Sequence, residues 1–126
     1  MNRFAIAICC ATLSSPTLAH HSAAVIYDID TTIALQGTIT DVEWMNPHVR
    51  FYIDVEDADG NVVSWEIETS GTGTFLRRGF KRDTLKVGDP VTVTAYPARD
   101  GSNLADATSI ILADGRQMGG SPSDGK

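Results

Sequence analysis

Residues 48–69 constrain the fold more than any other stretch of this chain. From His48 to Asp57, Val49, Phe51, Ile53 and Val55 alternate with His48, Arg50, Tyr52, Asp54 and Glu56. From Asn61 to Thr69, Val63, Trp65 and Ile67 alternate with Val62, Ser64, Glu66 and Glu68. A period of two belongs to strands with one buried face. If both apolar sets face one core, Val55 must lie opposite Val63, Ile53 opposite Trp65, and Phe51 opposite Ile67. The loop left between them is Ala58-Asp59-Gly60, a three-residue hairpin connection with Gly at the left-handed position. Turn chemistry and apolar pattern therefore demand the same register. That register also sets Arg50 opposite Glu68 and Tyr52 opposite Glu66 on the outer face.

The remaining elements extend this hairpin. A first strand is expected from about Ile33 to Met45, ended by Asn46-Pro47. Ile33, Leu35 and Ile39 share one parity, and Val42 and Trp44 share the other. The switch predicts a bulge near Thr40-Asp41, and Gly37 permits a sharp bend. Gly73 to Phe80 suits a short helix with Leu76 and Phe80 inward at i, i+4. A fourth strand is expected over Val91 to Tyr96 and a fifth over roughly Ala105 to Ala113, with Asp100-Gly101 a turn. Three strands, a helix and two strands is the order of a five-stranded OB-like Greek-key barrel. An open β-sandwich is the alternative.

Outside this body, at residues 33–113, the chain divides simply. Met1-Asn2-Arg3 is a basic start, and Phe4 to Leu13 is apolar but too short to span a bilayer. Ser14 to Ala19 follows with small residues at the cleavage positions. Residues 1–19 thus read as a signal peptide, which places the protein in an exported compartment, most simply a bacterial periplasm. Residues 20–32 form a flexible N-terminal arm of mixed character, and 114–126 a flexible, Gly- and Ser-rich tail. Both cysteines, Cys9 and Cys10, lie in the leader, so no disulfide or thiolate ligand is expected after cleavage. The formal charge is −6. An acidic domain is a poor match for nucleic acid, and no later segment is apolar enough to span a membrane.

Cleavage after Ala19 makes His20 the first residue, offering an α-amine and an imidazole on one residue. Cu(II) favours such nitrogen donors in a tetragonal plane. A third nitrogen would come from His48 or His21, in the arrangement called a histidine brace. Cleavage after Leu18 would instead leave Ala19-His20-His21, also a Cu(II) chelator. The competing reading makes His20 and His21 frayed polar residues and His48 an ordinary turn histidine. Met45 is a weak Cu(I) candidate and more simply a gap-filling core residue. Trp44 would wall a site or pack at the rim. On the outer face, Arg50, Tyr52, Glu66 and Glu68, together with Trp44, form a possible ligand surface for a small molecule or an envelope protein; the alternative is a solvated face with cross-strand ion pairs. No nucleophile–base pair or shared carboxylate pocket suggests catalysis, so an enzyme is not expected.

Several motifs resemble a family of small exported bacterial proteins known only as a domain of unknown function. They are His20-His21-Ser22, Gly37-Thr38-Ile39, Val42-Glu43-Trp44, Asn46-Pro47-His48, Leu76-Arg77-Arg78-Gly79, Arg82 to Asp89, Gly101-Ser102 and Leu112 to Arg116. The resemblance implies a periplasmic location and a small β-barrel, and it brings no activity with it.

Overall fold

The computed structural model describes residues 19–119, with side chains from residue 23. The expected leader up to Leu18, residues 120–126 of the expected tail, and the imidazoles of His20 and His21 lie outside the described residues. In chain order the elements are α1 (Ala19–Ile26), β1 (Ile33–Glu43), β2 (Arg50–Glu56), β3 (Val62–Glu68), α2 (Thr72–Arg77), β4 (Pro90–Pro97), β5 (Leu104–Ile111) and β6 (Gln117–Gly119).

The hairpin of β2 and β3 forms in the expected register. Phe51 faces Ile67, Ile53 faces Trp65, Val55 faces Val63, Arg50 faces Glu68 and Tyr52 faces Glu66. Gly60 takes φ 81° in the loop. The Asp57 carboxylate accepts the backbone N–H groups of Asp59 and Asn61, both at 2.9 Å. Those bonds hold its pKa below the ordinary carboxylate value, the Asn61 N–H contributing most. Phe51, Ile53 and Ile67 are fully buried, while Val63 and Trp65 toward the hairpin tip are half-buried.

β1 closes the barrel on both sides. Its first half pairs with β4 and its second half with β2, and the register slips between Ile39 and Asp41, at the expected bulge. Gly37 serves close approach: a Cβ there would lie 2.5 Å from the Asp54 carbonyl oxygen on β2. β5 pairs antiparallel with β4, and a parallel pairing of β3 with β5 completes the cylinder. This is the closed five-stranded OB-like barrel. Ile39, Phe51, Ile53, Ile67, Val93 and Ile110 fill its interior at 0–1 % exposure.

Three sequence expectations are corrected. The short helix turns Phe75, not Leu76, inward: Phe75 is 1 % exposed and Leu76 58 %. The reason lies at its C-terminus. Gly79 adopts φ 83°, Gly79 N–H bonds the Leu76 carbonyl, and Phe80 N–H bonds the Phe75 carbonyl, each at 3.0 Å. This Schellman ending folds Phe80 back onto Phe75 and breaks the i, i+4 rhythm that paired it with Leu76. Second, the tail expected to be flexible begins with β6, which pairs with β5 and buries Met118. Third, the arm starts with α1 and is tied to the barrel. Tyr27 bridges to Ala98, Asp28 N–H bonds the Pro97 carbonyl and Arg99 N–H bonds the Ile26 carbonyl, both at 2.9 Å.

Candidate functional site

The loop between β1 and β2 is built around Asn46-Pro47-His48. The Asn46 Oδ1 accepts both the backbone N–H and the hydroxyl of Thr72, each at 3.0 Å. A side chain from a distant loop thereby satisfies an unpaired N–H at the start of α2. Gly71 lets the two segments meet, since a Cβ there would stand 2.7 Å from the Pro47 carbonyl oxygen. On the far side of His48, Val49 and the Thr69–Ser70 backbone exchange two hydrogen bonds of 3.0 Å. His48 is thus held between two fixed segments.

This setting determines the tautomer of His48. Its Nδ1 lies 2.8 Å from the Thr69 carbonyl oxygen, and 3.5 Å from Glu68 Oε1. A carbonyl only accepts, so Nδ1 carries the proton and the neutral ring presents Nε2 as a lone-pair donor. The side chain is 40 % exposed, so the ring is open to solvent. Metal-binding histidines are oriented in this way, by a carbonyl or carboxylate on the opposite nitrogen.

Glu68 is the junction of the face. Only 18 % of its side chain is exposed. Its Oε2 accepts the Tyr27 hydroxyl at 3.1 Å and lies 3.4 Å from Arg50 Nη2. Arg50 Nη1 lies 3.5 Å from Glu66 Oε1. Tyr27 is 3 % exposed; burial, then the charge and hydrogen bond of Glu68, then the charge of Asp106 push its hydroxyl far above the ordinary tyrosine pKa. Tyr52 stands beside this cluster, half-buried, its hydroxyl raised by burial and by Glu66 and Glu43.

Of the residues expected to matter, His48, Arg50, Glu66 and Glu68 are brought together, and Tyr52 adjoins them. Trp44 does not join them: its ring packs edge-on against Phe75, centroids 5.5 Å apart, at the rim of the core. Met45 is 47 % exposed rather than buried in the core. The α1 backbone carries His20 and His21. Among the described residues, no three His, Cys, Asp or Glu side chains group as a metal site. Tyr27 was not expected in the cluster. Its sequence signal was faint: one aromatic among the mixed residues of an apparent arm.

A family model described as a family of unknown function (DUF6152) matches residues 7–107. The chain belongs to this family. No curated protein matches it. Among solved structures, the chain is similar to Rim1, a mitochondrial single-stranded DNA binding protein of S. cerevisiae, at 15 % identity and a TM-score of 0.51. That likeness covers 65 % of this chain and 92 % of the other, and it concerns the OB fold alone. No described helix is long and apolar enough to cross a membrane.

Proposed function

We propose that this DUF6152 member is an exported, non-enzymatic carrier or sensor that binds a divalent metal, copper foremost. In this reading His48 Nε2 supplies one nitrogen. The α-amine and imidazole of His20, freed by cleavage after Ala19, supply the others, with His21 as the alternative imidazole. The observation that carries the reading is the state of His48. Its Nδ1 is committed to the Thr69 carbonyl and Glu68, so Nε2 is a pre-oriented donor. The position of the arm supports it further. Tyr27 returns the arm to the same Glu68 that contacts His48, and His20 begins only seven residues earlier, near the start of α1. Nitrogen donors suit Cu(II) better than the oxygen-seeking cations.

The test is Cu(II) titration of protein shown by intact mass to begin at His20. Tight binding at neutral pH, weakened by roughly tenfold or more in both His20→Ala and His48→Ala, is expected, comparable at least to loss of an outer-shell partner. Binding that survives both substitutions unchanged, or no tight binding, defeats the reading.

A second reading has its own observation. Arg50 and Tyr52 flank Glu66 on a half-exposed sheet face, and the Arg50 Nε is buried without a protein partner among the described residues. That arrangement suits a small polar ligand or an envelope protein. Rim1 is named for binding single-stranded DNA. In this chain the net charge of −6 and the carboxylates Glu66 and Glu68 on the face itself disfavour a nucleic-acid partner.

A further inference from the structure

Positive charge in this chain is concentrated in one place. Residues 76–87 (LRRGFKRDTLKV) hold five of the ten Lys and Arg residues and a single carboxylate, Asp83. The local charge is +4 within a chain of −6. All five cations, Arg77, Arg78, Lys81, Arg82 and Lys86, are exposed. None of them meets a carboxylate among the described residues, whereas Arg50, Arg99 and Arg116 each do. Arg77 reaches only the Thr74 hydroxyl, and Arg78 the Gly119 carbonyl. Two large apolar side chains stand out at the ends of this run, Leu76 at 58 % exposure and Val87 at 65 %. The segment is held firmly from beneath, with Phe75, Phe80 and Leu85 buried in the core.

Asp89 and Asp114 line the same cavity as Lys81, Asp83 and Lys86 without pairing with either lysine. A segment rich in such cations, with exposed aliphatic side chains at its ends and a buried base, suits an anionic bilayer surface. The cations meet the headgroups and the aliphatic groups enter the boundary beneath them. The rest of the molecule sharpens the fit. With five cations against fifteen carboxylates in the rest of the chain, an anionic surface repels the remainder on balance and favours approach by this segment. We infer that the α2–β4 segment is a peripheral docking surface for anionic phospholipid membranes. This is independent of the metal reading. It also has a geometric consequence, because α2 is six residues, about 9 Å long, and its start is clamped by Asn46 in the His48 loop. Docking would hold that loop about one short helix away from the patch.

The test is co-sedimentation of the exported protein with vesicles of phosphatidylglycerol and phosphatidylcholine mixed equally, against vesicles of phosphatidylcholine alone. Binding to the anionic vesicles only, declining as salt rises from 20 to 200 mM, is expected. The variant Lys81→Glu with Arg82→Glu should lose about 25-fold or more in partitioning, since each cation near such a surface contributes about fivefold. Leu76→Ser with Val87→Ser should lose severalfold while keeping the preference for anionic lipid. All four positions are exposed, and an unchanged thermal melt verifies the fold of each variant. Equal binding to both vesicle types, as a retained apolar leader would produce, overturns the inference. So does binding indifferent to Lys81→Glu with Arg82→Glu, or capture by soluble polyglutamate with no binding to vesicles.

Discussion

Removing the Tyr27 hydroxyl should loosen the N-terminal arm without unfolding the barrel. In Tyr27→Phe the ring still fills its buried position, so no cavity forms. What is lost is the hydrogen bond to Glu68 Oε2 at 3.1 Å. A bond to a charged acceptor contributes about 1.5–3 kcal/mol. Glu68 keeps Arg50 at 3.4 Å and His48 at 3.5 Å, so its charge is not orphaned. The loss should therefore fall at the lower end, about 1–2 kcal/mol, or roughly 5–30-fold in a local opening constant. The reporters are the amides of Asp28 and Arg99, which bond across from arm to barrel. Their hydrogen exchange should accelerate by that factor, while amides of Phe51, Ile53 and Ile67 at the centre of the hairpin stay protected. Exchange at Asp28 and Arg99 within twofold of the parent would show that the bond does not hold the arm. A uniform acceleration across the hairpin would show that arm and barrel are one cooperative unit, and would equally refute the reasoning.

The same hydroxyl gives a pH dependence. Its folded pKa is raised by burial and by Glu68, so below about pH 10 the proton is bound in both states, and above that only the unfolded chain releases it. Stability should fall as pH rises beyond about 10, and Tyr27→Phe should flatten that limb of a denaturant titration against pH. Asn46→Ala removes two acceptor contacts at the start of α2 and should cost about 1–2 kcal/mol in urea unfolding, whereas Asn46→Asp, which keeps the oxygen, should recover most of it. Gly71→Ala keeps an accessible backbone (φ −70°) but sets a Cβ 2.7 Å from the Pro47 oxygen. Overpacking of about 1–3 kcal/mol, offset partly by lower unfolded-state entropy, predicts a net loss near 1–2 kcal/mol in the same assay. Phe75→Ala should cost about 3–5 kcal/mol, since the ring is 1 % exposed and supports Trp44. A loss under about 1 kcal/mol would mean that α2 is not anchored by Phe75.

What could be read from the residues alone followed from how local the cause was. The hairpin register was legible because the apolar parity and the Ala58-Asp59-Gly60 turn each fixed it separately. The bulge was legible because the parity of β1 changes sides within a single strand. α2 was legible as a helix but not in its facing, because Gly79 redirects the chain before Phe80 and a helical period does not continue through a left-handed residue. β6 was hidden by composition: Asp114-Gly115 is a turn that returns the chain to β5, yet the Gly- and Ser-rich residues around it resemble a loose end. Tyr27 was beyond reach for a different reason. Its partners, Ala98 and Glu68, are 71 and 41 residues away, and nothing in the arm's own pattern names them.

A metal site shared by His48 and the N-terminus requires the N-terminal segment to return to His48. The face around Glu68 ties that segment to the barrel. A carboxylate with 18 % exposure is costly to leave uncompensated, so its partners are held in place by the cost of losing them. Those partners come from the arm through Tyr27 and from β2 through Arg50, with the β1–β2 loop contributing His48 at a longer distance. Arm and histidine therefore both contact one side chain. Disturbing Tyr27 should change the setting of His48, and fixing His48 with a metal should in turn favour the docked arm by the same free energy. In the proposed carrier or sensor, that reciprocity would make metal occupancy at the histidine legible at the arm.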